Sequence, residues 1–312
     1  FSVIEMRWSP EPSGPRRVQA AIELQRDLVL VGGGHSHVLA LRTLAMQPIA
    51  GLRVTLVSPA SHTPYSGMLP GLISGHYDFE QVHIDLARLC QWAGARFVAA
   101  EVVGLDARQK TLSFHARPDI AYDIVSIDIG SQPELDSVSG ARAHAAAVKP
   151  IASFWQRWQR LLQQFEQGEI DRGYRIALVG GGAGSVELVL AMSRRLQDTG
   201  VALSLWCGAS KILKGYNRGA RRAVMAELQE QGIEVHLSAR VVAVQPARLQ
   251  CADGVESPFD TLFWCTGAAA APWIAESGLA TDEQGFLQVR DTLQAKDDDS
   301  VFGAGDIATQ VK

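Results

Sequence analysis

Two glycine turns carry the first recognisable chemistry in this chain. Gly32-Gly33-Gly34-His35-Ser36-His37 follows an apolar run, Leu28-Val29-Leu30-Val31, and precedes a helical pattern through Val38, Leu41, Leu44 and Ala45. Gly32 and Gly34 permit a tight turn and let backbone N–H groups approach a pyrophosphate. The helix N-terminus behind them adds partial positive charge, and His35 and Ser36 stand in the same turn. His37 replaces the usual third glycine; it either loosens helix–strand packing or points outward. The second turn is Gly180-Gly181-Gly182-Ala183-Gly184-Ser185, with Glu187 on the helix that follows. Ser185 takes the third-glycine place and is small enough to pack closely. A third glycine motif, Val301-Phe302-Gly303-Ala304-Gly305-Asp306, comes late in the chain.

Each turn needs a strand before it and a helix and strand after it. Arg26 to Val31, the helical pattern and Leu52 to Val57 form such a unit. Arg175 to Val179, Val186 to Leu196 and Val201 to Trp206 repeat it about 150 residues later. A return strand, Tyr122 to Ile129, ends at Gly130-Ser131; Thr261 to Cys265 ends likewise at Thr266-Gly267. Between them, Arg96 to Val103 with Lys110 to Phe114 reads as a β-meander, echoed by Glu234 to Val244 with Arg248 to Cys251. Helices are expected at Ile84–Ala93, Ile151–Gln167 and Arg218–Gln231. The helix from Ile151 carries Phe154, Trp158, Leu161 and Phe165 in a stripe flanked by Trp155 and Leu162. That stripe is a packing face, or a partner or membrane surface if exposed.

In such units an acid at the end of the second strand holds the ribose hydroxyls. Ser58 and Cys207 occupy those places. Ser58 retains a hydroxyl for a ribose but lacks the charge-assisted strength of a carboxylate. No arginine adjoins Cys207 in sequence, and Lys211 is the nearest base, so NADH and NADPH both remain open. Cys207 is also the better candidate for a reactive thiol, since Cys265 ends a buried strand.

Composition narrows the class. The 312 residues suffice for two domains with their own cores. A net charge of −4 supplies no electrostatic ground for nucleic-acid binding. The four cysteines form no close pair, which excludes a neighbouring-cysteine dithiol and fits a reducing, cytoplasmic setting. No apolar run approaches the roughly 20 residues of a membrane span. Residues 1–26, with Pro10, Pro12, Pro15 and Arg16-Arg17, read as a leader with a helix around 18–25. His35, His37, His62, His76 and His83 match no zinc spacing, so no metal site is expected. Asp297-Asp298-Asp299 reads as a solvated turn.

The two glycine units, the strand ends at Gly130 and Gly267, and the late Gly-Ala-Gly-Asp together resemble the two-dinucleotide-domain flavoproteins. That superfamily includes the pyridine nucleotide–disulfide oxidoreductases and type II NADH dehydrogenases. The resemblance covers residues 27–312. It implies an α/β fold of two Rossmann-like three-layer domains, with an NAD(P) domain inserted into an FAD domain. The implied divisions are a leader over 1–26, an FAD domain over 27–148 plus 294–312, and an NAD(P) domain over 149–293, with the family's C-terminal part absent. On the FAD side it implicates Gly32, Gly34, His35, Ser36, Ser58, Gly130, Gly303 and Asp306, the last as a ribitol ligand. By analogy with the type II dehydrogenases, Pro64 and Tyr65 lie near the isoalloxazine, and Lys149 stands either near the flavin or on the surface of a crossover. On the NAD(P) side it implicates Gly180, Gly182, Gly184, Ser185, Glu187 and Gly267. Glu187 serves either the helix dipole or the nicotinamide ribose or carboxamide. The strings VGGGHSHVLAL and TPYSGMLPGLISGHY resemble, more narrowly, the FAD/NAD-binding domain found fused to selenide, water dikinase.

The function implied is an FAD-dependent NAD(P)H oxidoreductase. Hydride passes from nicotinamide to flavin and then to a small-molecule acceptor, a quinone or a sulfur or selenium compound. That first step requires no protein nucleophile, so no catalytic residue is assigned. A sulfide:quinone-type reading would need a cysteine between the first half and the second turn, and residues 91–206 contain none. The alternative outside enzymology is a nucleotide-binding regulatory module that partners a selenide, water dikinase. A homo-oligomer, and a location peripheral to a membrane, are compatible with either reading.

Overall fold

The computed structural model describes residues 24–311. Most of the expected leader, with its helix around 18–25, lies outside them. Two five-stranded parallel sheets organise the rest.

In the first sheet the spatial order is Val301–Gly303, Ile124–Ile127, Arg26–Val31, Leu52–Ser58 and Arg96–Ala99. Arg26–Val31 is central, and its Val29, Leu30 and Val31 are each 2% exposed. A strand buried on both faces needs an unbroken apolar run, which Leu28 to Val31 supplies. In the second sheet the order is Ala146–Ala147, Thr261–Trp264, Arg175–Val179, Ala202–Trp206 and Glu234–His236. The two units thus repeat one topology, each with a three-stranded meander: Gly104–Asp106, Thr111–Ser113 and Ile120–Ala121 in the first; Val241–Gln245, Arg248–Cys251 and Glu256–Pro258 in the second.

Two strands differ from expectation. Arg96–Ala99 is no meander strand but the edge of the first parallel sheet, paired with Thr55 to Ser58. The helix before it, Leu86–Ala93, ends on left-handed Gly94 and acts as a crossover between parallel strands. That helix also starts later than expected, because Asp85 caps it and His83–Asp85 pairs with His62–Pro64. The run from Glu234 to Val244 is two strands in two sheets, broken at Ser238 where φ is +56°.

The packing also moves the expected domain limits. Val301–Gly303 does return to the first sheet, so the second unit is inserted into the first. Yet Ala146–Ala147 already pairs in the second sheet, and Ala271, Trp273, Ile274, Leu279, Leu287 and Val289 pack with Val301 in the first core. The limits at 148/149 and 293/294 therefore do not follow the packing. Leu69, Leu72, Ile73 and Val82, from the first half, lie in the second unit's core instead. This wedge overlaps the second of the two local strings, Thr63 to Tyr77. Gly71 lies under the Tyr77 ring, which a Cβ there would meet at 2.4 Å. Two connecting segments cross between the units and pair with each other: Gln132 and Ala269 exchange two backbone hydrogen bonds of 2.9 Å.

The aromatic stripe on the Ile151–Glu166 helix is a packing face. Phe154, Trp158 and Leu161 are buried, and Phe154 meets Phe263 edge-on at 5.2 Å. Phe154→Ala is expected to destabilise the protein by about 3–5 kcal/mol, the usual cost of deleting a buried ring. Leu39→Ala, at a side chain 58% exposed, is expected to stay within about 0.5 kcal/mol. Urea unfolding followed by circular dichroism measures both; equal midpoints would contradict this assignment of the core.

Candidate functional site

The first glycine turn is built around a carboxylate absent from the expected set, Asp128. It follows the Ile124–Ile127 strand and is 5% exposed. Its Oδ2 accepts the Ser36 amide at 3.0 Å, and its backbone oxygen accepts the Gly34 amide at 3.2 Å. A Cβ on Gly34 would lie 2.1 Å from the carboxylate, and one on Gly305 would lie 2.5 Å from Oδ1. Both glycines are therefore required by the close approach of this one side chain. Gly32, at φ +94°, would likewise meet the Asp128 carbonyl at 2.3 Å. The Ser36 amide at the helix N-terminus offsets part of the cost of burying this polar group.

His37 does not point outward. It is 2% exposed, with Nδ1 2.7 Å from the Gly32 carbonyl and Nε2 2.9 Å from Ser126 Oγ. A carbonyl only accepts, so Nδ1 carries a proton; in the neutral ring, which burial favours, Nε2 accepts the serine hydroxyl. Burial holds its pKa below the ordinary histidine value; the Gly32 hydrogen bond and the Asp128 charge oppose that shift. The ring thus tightens the turn that a third glycine would otherwise pack.

Around this turn several expected residues converge. Lys149 Nζ donates to Asp306 Oδ2 at 2.7 Å and to Ser131 Oγ at 3.1 Å, placing Asp306 beside the Gly130-Ser131 strand end. Gly130 is left-handed, at φ +72°, and a Cβ there would meet nothing within 4 Å. The His35 ring lies 4.6 Å from the ring of Tyr65, which is 47% exposed. Pro64 sits beside it, paired with His83. Two expected contacts turn inward instead. Ser58 is 5% exposed and its hydroxyl donates to the Ala60 carbonyl, so it is not presented to a ribose. Gly303 is buried, and a Cβ there would strike Leu287 at 2.8 Å, so its smallness serves packing.

The second turn is open. The Ala183–Arg195 helix begins after Gly182 with no side-chain cap, and a Cβ on Gly182 or Gly184 would meet nothing within 4 Å. Bare amides at an uncapped helix start, facing free space, suit a pyrophosphate. Ser185 is 2% exposed and donates to the Gly182 carbonyl at 2.9 Å; it also packs against Gly180. Glu187 is exposed and lines a cleft of ≈ 440 Å³ with Gly71, Leu190, Arg194 and Glu227. Gly267, at φ +69°, lies in the crossover, where a Cβ would be 2.8 Å from the Glu134 Cβ.

The cysteines carry no exposed thiol. Cys207 is 3% exposed, its Sγ is 3.7 Å from the Lys211 carbonyl, and it fills the space beside Gly181. The expected reactive thiol is therefore a packing group. Burial pushes the Cys265 thiol up to about 12. Among the described residues no group of histidines, cysteines or acids could hold a metal ion. None of their helices is long and apolar enough to cross a membrane.

Two parallel sheets, each with a glycine turn between its central strand and the helix that follows, define the two-dinucleotide class of α/β oxidoreductases, which work with FAD and a nicotinamide dinucleotide. Residues 26–312 match the pyridine nucleotide-disulphide oxidoreductase family, and the chain belongs to it. It is 25% identical over 289 residues to demethylphylloquinone reductase NdbB of Synechocystis, covering 89% of this chain and 71% of that protein. It is 30% identical over 163 residues to a type II NADH:quinone oxidoreductase of Haemophilus influenzae, covering 48% of this chain and 37% of that one. NDH2 of Plasmodium falciparum, solved with NADH, superposes with a TM-score of 0.78 at 17% identity over 91% of this chain and 65% of its own.

Asp128 was legible only as an acid directly after a buried strand and two residues before Gly130. The pH dependence of stability tests the site around it. His37 is neutral when folded and has its ordinary pKa near 6.5 when unfolded. Between that pH and the lowered folded value the unfolded chain binds a proton more readily than the folded chain. Stability should therefore fall as pH drops from about 6.5, by at most about 1.4 kcal/mol per pH unit. His37→Gln should flatten that fall, measured as urea midpoints at several pH values; an unchanged slope would remove His37 from this account.

Proposed function

We propose that this chain is an FAD-dependent NAD(P)H oxidoreductase that passes reducing equivalents to a quinone. The observation that carries the reading is the pairing of two unlike glycine turns in one inserted-domain topology. Family membership and the quinone-reducing relatives support it.

The residues fit the cofactors. FAD would lie along the first turn, its pyrophosphate meeting the Gly33 and His35 amides, since those of Gly34 and Ser36 already donate to Asp128, and its ribitol beside Asp306. Lys149, itself donating to Ser131, holds the Asp306 carboxylate in place. Tyr65, Pro64 and His35 offer an exposed ring surface for the flavin end. The nicotinamide dinucleotide would bind at Gly182 and Gly184, where no protein atom fills the space. When bound, FAD would supply the site with a hydride acceptor for the nicotinamide and a donor of one or two electrons to the quinone. The protein's contribution is orientation: the paired crossover segments at Gln132 and Ala269 tie one unit to the other. Selenium or sulfur acceptors, and partnership with a selenide, water dikinase, rest on the two local strings alone. In the second of these, Gly71, Leu72 and Ile73 serve packing.

Two substitutions separate ligand loss from fold loss. Gly182→Val meets open space, so the protein should keep its stability and its flavin, while flavin bleaching by NADH or NADPH under anaerobic conditions weakens at least about tenfold. Gly34→Ala forces a methyl group onto Asp128, with a cost of about 1–3 kcal/mol and loss of bound flavin. A flavin that neither coenzyme reduces in the unaltered protein would overturn the proposal and favour the regulatory module.

A further inference from the structure

The second unit offers a ribose rim with cations and no carboxylate. Its place is fixed by the backbone. Trp206 lies beside Val179 in register, and the Gly180 amide donates to the Trp206 carbonyl at 2.8 Å, so residue 207 adjoins the glycine turn. The Leu213 amide donates to the Gly181 carbonyl at 2.7 Å, closing the loop over 207–213 onto the same turn. In mononucleotide-binding units this lip meets the adenosine ribose. An acid there accepts the 2′-hydroxyl, whereas a nearby arginine receives a 2′-phosphate.

Cys207 fills the acid's place but is buried against Gly181 and cannot reach a ribose. The lip that follows, Gly208-Ala209-Ser210-Lys211, is exposed and contains no acid. A base distant in sequence joins it. The Ser238 amide donates to Ala209 and the Ala239 amide to Cys207, each at 2.9 Å, which carries Arg240 to the lip. A Cβ on Gly208 would lie 3.5 Å from the Arg240 Cα and Cβ and 3.7 Å from its Cγ, so the arginine stem runs along Gly208. Arg240 and Lys211 are exposed, and neither forms an ion pair with another described residue. The acid in the neighbouring strand, Glu234, lies 3.5 Å from His236.

We propose that Ser210, Lys211 and Arg240 form a 2′-phosphate site that makes NADPH the preferred coenzyme. The inference rests on the proposed nicotinamide site and goes beyond it by naming the ligand. A 2′-hydroxyl finds no carboxylate acceptor on this rim. A 2′-phosphate finds a planar guanidinium for paired hydrogen bonds, an ammonium and a hydroxyl.

The test is calorimetric titration of the FAD-loaded protein with 2′,5′-ADP and with 5′-ADP, followed by anaerobic flavin reduction with NADPH and NADH. We expect 2′,5′-ADP to bind at least about tenfold more tightly, the worth of one charge-assisted contact. Arg240→Ala should cut that affinity about tenfold while moving 5′-ADP less than about twofold, and Arg240→Lys should restore only part of it. Lys211→Ala provides the same comparison at a second exposed position should Arg240→Ala fail to fold. Equal affinity for the two nucleotides, or a variant that weakens both alike, overturns the 2′-phosphate site. If neither nucleotide binds and neither coenzyme reduces the flavin, the oxidoreductase reading itself falls.

Discussion

The buried Asp128 carboxylate holds the first unit's functional end together. It sits at the end of the Ile124–Ile127 strand and joins it to the glycine turn with its helix start at Ser36 and to the late Gly305, three segments far apart in sequence. A buried carboxylate must be matched by a donor, and the helix start supplies one in the Ser36 amide. Once it is there, Gly34 and Gly305 cannot carry side chains. His37 extends the arrangement by pinning the Gly32 carbonyl to Ser126. The departure from a third glycine is thus part of a polar cluster.

The two turns solve opposite problems. The first is filled from beneath by the protein's own carboxylate and imidazole. The second leaves Gly182 and Gly184 facing open space. Under the proposed reading, that openness suits a coenzyme that must arrive and depart with each turnover.

Elements with one dominant local signal were legible in the sequence. The apolar run before each glycine turn marks a central strand, and the observed strands Arg26–Val31 and Arg175–Val179 coincide with those expected. The stripe on the Ile151–Glu166 helix was equally readable. Positions decided by partners distant in sequence were not. Arg96–Ala99 looks like any short strand until the preceding helix makes it a crossover partner. Ser58 and Gly303 have suitable chemistry at suitable positions, but their orientation depends on Ala60 and Leu287. Asp128 resembles a polar strand end until Gly34, Ser36 and Gly305 fold around it. Arg240 reaches Gly208 only because two loops exchange backbone hydrogen bonds.

The Val301–Gly303 strand pairs with Ile124–Ile127 only after the whole second unit has been made. During synthesis on the ribosome the nascent chain can complete the second sheet once Trp264 has emerged, while the first still exposes the Ile124–Ile127 edge. The unit begun first is therefore the last to close. An unpaired apolar strand is a template for pairing with another chain. The vulnerable species in the life of this protein is thus a half-finished one, with Asp128 waiting for Gly305.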